Sequence, residues 1–136
     1  MLLISETPSI VKCFYNQEEN CTIHEWLTFF CTPEESQSMR NSLELFLDFV
    51  KQHKITKHIV DVKKCRDAFS EEDFAYITNY LVPKEQEYGI LYLANITSED
   101  IFSQLSTDFW QEKVENGFLI KNVENMQEAL NWFRQK

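Results

Sequence analysis

A chain of 136 residues, 43% of them hydrophobic, can bury one core and is too short for two comfortable ones, so a single domain over residues 1–136 is expected. Its 13 basic and 22 acidic residues leave a formal charge of -9, which repels nucleic-acid phosphates and anionic membrane surfaces. Lys51, Lys54, Lys57, Lys63, Lys64 and Arg66 gather in the middle third without interleaved aromatics, and they read as a solvated rim.

Taken in order, Leu2 to Glu6 read as a first strand closed by Thr7-Pro8-Ser9, since proline cannot donate into a ladder. Ile10 to Tyr15 and Cys21 to Phe29 read as the two arms of a hairpin around the acidic turn Asn16 to Asn20. Thr32-Pro33-Glu34-Glu35 is a helix start: Thr32 caps, Pro33 suits the first helical position and Glu35 completes a capping box. From there Met39, Leu43, Phe46, Leu47 and Val50 recur at helical spacing as far as about His53, with Leu45 and Phe49 widening the stripe.

Ile59, Val60 and Val62 form a β-branched run too short for a helix, as expected of a strand covered on both faces. A loop from Lys63 to Phe69 leads to Ser70, an N-cap followed by Glu71, Glu72 and Asp73. Phe74, Ile77 and Leu81 define the inner face of that second helix, and Pro83 is expected to stop it. A polar connection from Lys84 to Tyr88 precedes the strand Gly89 to Ala94. Thr97-Ser98-Glu99-Asp100 caps a third helix with Ile101, Phe102, Leu105 and Phe109 inward, and Asn116-Gly117 ends it. Phe118 to Ile120 form the last strand, and Met126, Ala129, Leu130 and Phe133 line a terminal helix. The order β-β-β-α-β-α-β-α-β-α predicts an α/β fold: a mixed β-sheet with an antiparallel N-terminal hairpin and later parallel strands.

That order, with Ile59-Val60-Asp61, the capped Ser70-Glu71-Glu72-Asp73, the strand Gly89-Ile90-Leu91-Tyr92-Leu93 and the closing Ala129-Leu130-Asn131-Trp132, resembles the SpoIIAA-like or STAS (anti-sigma-factor antagonist) superfamily. The resemblance covers nearly the whole chain and rests on pattern. It implies a small bacterial regulatory domain acting through protein-protein contacts or, as in related CRAL-TRIO-like members, a small lipid or apolar-ligand binding protein. Phosphorylated antagonists carry an Asp-Ser-Ser/Thr-Gly-like turn after the strand matching Lys57 to Val62. Here the turn from Asp61 to Ser70 is longer and has no glycine, and only Ser70 can stand in the hydroxyl's place.

The residues themselves argue against an enzyme. No GxSxG, HExxH, P-loop or dinucleotide glycine run occurs, and two glycines in the whole chain cannot build a phosphate-cradling loop. His24, His53 and His58 read as surface or half-buried histidines. Cys13, Cys21, Cys31 and Cys65 lack a CxxC pair and read as free, mostly buried thiols of a cytoplasmic protein. Cys13, Cys21 and His24 could meet across a hairpin, but without knuckle spacing no metal is expected, nor any cofactor. The amino terminus has no signal-peptide features and no apolar run approaches a membrane span.

Asp61, at the carboxyl end of its strand, Cys65 and Ser70 mark the region where open α/β sheets place sites. Tyr76, Tyr80 and Trp110 fall off the predicted core faces and are the candidate anchors of a partner surface or homodimer. The 11 phenylalanines, five tyrosines and three tryptophans would suit either an aromatic core or an apolar pocket.

Overall fold

The computed structural model describes residues 1–97, 112 and 117–136. Six strands form one sheet in chain order: β1 (Leu2–Thr7), β2 (Val11–Asn16), β3 (Cys21–Trp26), β4 (Lys57–Asp61), β5 (Tyr92–Ile96) and β6 (Leu119–Val123). The first three pair antiparallel and the last four, from β3 onward, pair parallel, as the element order requires. The turns that reverse the chain are tight: Ser9 and Asn20 hold positive φ of 68° and 51°, where a short polar side chain tolerates the left-handed region.

Alternation along the strands separates two cores. One face carries Val11, Cys13, Trp26, Val60 and Leu93 against α1 (Pro33–His53) and the helical segment after Ser70. The other carries Cys21, Ile23, Ile59, Ala94, Ile96 and Val123 beneath the terminal helix α4 (Met126–Arg134), which contributes Ala129, Trp132 and Phe133. The capping box of α1 forms as expected, with Glu35 N–H donating to Thr32 Oγ1 at 3.3 Å and Thr32 N–H donating to Glu35 Oε1 at 2.9 Å. Its core stripe is Met39, Leu43, Phe46, Leu47 and Val50, while Leu45 is left exposed.

The second helix departs from expectation. It does not stop at Pro83: α2 (Glu71–Tyr76) passes into a π-helical turn (Ile77–Leu81) and on into α3 (Val82–Glu87), with Pro83 inside the helical run. Proline lacks an N–H and crowds the carbonyl one turn back, and the wide π turn just upstream accommodates both defects. The stop comes at Gly89 instead, whose φ of 113° suits glycine alone. Gly89 N–H donates to Gln86 O and Ile90 N–H to Glu85 O, the paired bonds of a Schellman ending. Residues expected in a polar connection are therefore helical, and β5 begins at Tyr92 rather than Gly89. β3 ends at Trp26, short of the expected Phe29. The expected third helix and Trp110 lie outside the described residues.

Candidate interaction site on the α1/α2 seam

Of the residues singled out in the sequence, those other than Trp110 lie among the described residues and have a definite place. Asp61 ends β4, alternates with Ile59 and so faces the side covered by α4; its Oδ1 accepts from Lys63 N–H at 3.0 Å. Cys65 is buried in a loop sewn to the end of β3, where Phe29 N–H donates to Arg66 O and Arg66 N–H to Leu27 O. Neither joins the others. Tyr76 and Tyr80 do come together, and Ser70 caps the start of the same helical segment, which meets α1.

Ser70 caps α2, its Oγ accepting from Asp73 N–H at 3.2 Å. Asp73 itself is only 1% exposed, and its carboxylate is held by Ser36 Oγ at 2.8 Å and Arg40 Nη2 at 3.2 Å. A turn on, the Arg40 guanidinium lies 4.9 Å over the Tyr76 ring. Tyr76 hydroxyl donates to Glu44 Oε1 at 3.5 Å, and the Tyr76 and Tyr80 rings sit 5.2 Å apart. Ser36, Arg40 and Glu44 recur every four residues on α1, one polar row facing Asp73, Tyr76 and Tyr80. A cleft of about 290 Å³ opens beside it, lined by Cys31, Ser36, Arg40, Ser70 and Glu72 among others.

Burial, then the Asp73 and Glu35 carboxylates, push the Cys31 thiol up to about 11, which leaves it protonated and unreactive near neutrality. The Tyr76 phenol is raised by burial first and by Glu44 second, and that of Tyr80 by its hydrogen bond to Glu44. Arg40 Nε is buried without a partner, so the guanidinium has a donor to spare.

Beneath α1, and unforeseen in the sequence, lies a buried histidine pair. His24 and His58 are 2% and 0% exposed, not on the surface or half-buried as expected. His58 Nδ1 lies 3.2 Å from Thr22 O and 2.8 Å from Thr22 Oγ1, while its Nε2 is 3.1 Å from His24 Nδ1. A carbonyl can only accept, so His58 carries its proton on Nδ1 and accepts from His24 Nδ1–H through Nε2. His24 Nε2 is then a bare lone pair, and it is buried with no partner. Burial pulls His58 down to about 3, and burial together with its neighbour pulls His24 well below the usual histidine range. Both are neutral imidazoles shut away from solvent. Cys21 and His24, three apart on one strand, face opposite sides of the sheet, which removes the hairpin metal cluster. Among the described residues no cluster of three or more His, Cys, Asp or Glu is placed to hold a metal ion.

The signals for these groups were faint but present. His24 alternates with Thr22 and Trp26, and His58 with Val60, on faces that must be inward if the sheet is covered twice. The Ser36-Arg40-Glu44 row is a polar stripe beside the apolar one on the same helix.

No family model, no curated protein and no solved structure matches the chain.

Proposed function

We propose that the chain is a non-enzymatic regulatory or protein-interaction domain of the SpoIIAA-like type, acting in the cytoplasm, with the α1/α2 seam as its partner surface. The observation that carries this reading is the Tyr76–Tyr80 pair. Tyr80 is 36% exposed, and its neighbour is already fixed by Glu44 and Arg40, so an aromatic anchor is presented at little further ordering cost. Ser70 stands at the rim of the adjoining cleft, where a modification would alter the surface's charge.

The first partner to test is a second copy. Size-exclusion chromatography with light scattering should show a concentration-dependent dimer in the wild type and a weakened one in Tyr80→Ala. A monomer at the highest concentration, or a dimer indifferent to the substitution, removes self-association.

A second reading, an apolar-ligand binding protein, is favoured by a cleft of about 640 Å³ between the β1–β2 hairpin and α1, lined by Leu2, Tyr15, Phe49 and His53 among others. Drug-sized ligands occupy clefts of roughly 300–1,000 Å³. Native mass spectrometry of the protein as purified should then show added ligand mass, lost in Phe49→Asp.

A further inference from the structure

The cleft between the β1–β2 hairpin and α1 is lined by three rings in contact with one another. Tyr15 and Phe49 lie 5.0 Å apart at 57°, and Phe49 stacks on His53 at 3.9 Å and 18°. Each ring is held in place. Tyr15 hydroxyl donates to Asn20 Oδ1 at 2.8 Å across the turn that follows β2, and Phe49 is half-buried against the core. His53 Nδ1 lies 3.1 Å from Phe49 O. A carbonyl only accepts, so Nδ1 carries a proton and the neutral ring keeps a lone pair on Nε2. The rings therefore offer π faces that need little ordering when something binds.

Among the lining side chains the one permanent charge is the Glu18 carboxylate, and no lysine or arginine joins it. Basic groups in the neighbourhood are committed elsewhere. Arg134, which senses Glu18, is taken up by Glu19 through its Nε at 3.1 Å and through Nη2. Lys51 sits over the Tyr88 ring, and Lys57 donates to Phe133 O. Phe49 and His53 stand near the carboxyl end of α1, a 21-residue helix whose dipole places partial negative charge there.

We propose that this cleft binds a small organic cation, a protonated amine on an apolar or aromatic body, with the body on the Tyr15 and Phe49 rings and the ammonium turned to Glu18. The proposal rests on the apolar-ligand reading of the cleft and adds the sign of the ligand's charge. A carboxylic acid of the same shape meets a carboxylate, a helix carboxyl end and negative ring faces, all of which repel it. The ammonium is drawn to all three. The volume of about 640 Å³ accepts a body of drug size, and the formal charge of -9 raises the local concentration of cations.

The test is a set of titrations followed by amide chemical shifts at about pH 7.5, above the ordinary histidine range and below that of an alkylamine. The probes are 2-phenylethylamine, 2-phenylethanol and 3-phenylpropionate, one ring carrying a positive, a neutral and a negative end. The amine should move the amides of Tyr15, Glu18, Phe49 and His53 with a Kd on the order of 1 mM. It should bind about tenfold tighter than the carboxylate, with the alcohol between them. Glu18→Gln should weaken the amine about 3-fold and leave the alcohol unchanged. Glu71→Gln, which removes the same charge from the start of α2, should change neither. Phe49→Leu should weaken all three probes by a similar factor. Equal binding of amine and carboxylate at the cleft overturns the cation and leaves the apolar-ligand reading standing. A Glu18→Gln protein that binds the amine as the wild type does, or a Glu71→Gln protein weakened as much as Glu18→Gln, also overturns it, since the attraction would then be that of net charge alone. If no probe moves the cleft amides at about 10 mM, ten times the expected Kd, both readings fall.

Discussion

At the scale of single residues, the caps and the thiols yield the plainest tests. Ser70 Oγ satisfies one orphan N–H of α2, so Ser70→Ala should cost about 0.5–2 kcal/mol in urea denaturation. Ser70→Asp should be nearly neutral, because aspartate also caps and suits the positive end of the helix dipole. If Ser70→Asp instead leaves stability unchanged but weakens the dimer, the seam is a charge-switched surface. All four cysteines are free and buried, and thiol titration under denaturing, non-reducing conditions should count four. What the sequence disclosed at this scale was whatever depends on near neighbours: the Thr32 box and the Ser70 cap involve partners three residues apart. The Arg40–Asp73 pair and the His24–His58 bond span 33 and 34 residues, and no local pattern reports such a partner.

At the scale of elements, the strands of the hairpin and the 21-residue α1 were legible because their periods run long enough to exclude the alternative. The α2–α3 run was not. A proline normally ends a helix, and only the π turn, which leaves no mark in hydrophobic spacing, allows the chain to continue past Pro83. Gly89 carries the true stop. Gly89→Ala, a change that stabilises proteins where φ permits, should here destabilise by about 1–3 kcal/mol in urea denaturation, since φ 113° is barred to a residue with a Cβ. A neutral or stabilising result would place the end of α3 elsewhere. Glu85, expected within the polar connection from Lys84 to Tyr88, instead occupies the position of this Schellman ending that usually meets the hydrophobic residue after the glycine, here Ile90.

At the scale of the whole molecule, the two faces of the sheet differ in kind, and that difference makes stability depend on pH in a particular shape. The α4 face is apolar, whereas the α1/α3 face buries His24, His58 and Glu85 in their neutral forms. The histidines have folded values below the ordinary 6.5, His58 at about 3, so the unfolded chain binds more protons and stability falls as pH drops from about 6.5 toward that value. Glu85 has the opposite sign. Its folded value of about 8 lies above 4.5, so the folded chain binds the extra proton and stability falls as pH rises from 4.5 to 8, then levels. Between 4.5 and 6.5 two histidine contributions outweigh one carboxyl, and above 6.5 the carboxyl acts alone; the optimum from these groups is therefore near pH 6.5. From there to pH 8 the wild type should lose roughly 2 kcal/mol, at about 1.4 kcal/mol per unit, in urea titrations. Glu85→Gln should abolish that alkaline limb and leave the acid limb in place, while His58→Gln should soften the acid limb alone. A wild type whose stability is level from pH 6.5 to 8, or a Glu85→Gln protein that loses stability as the wild type does, would mean that Glu85 already reaches solvent or a counter-charge in the folded state.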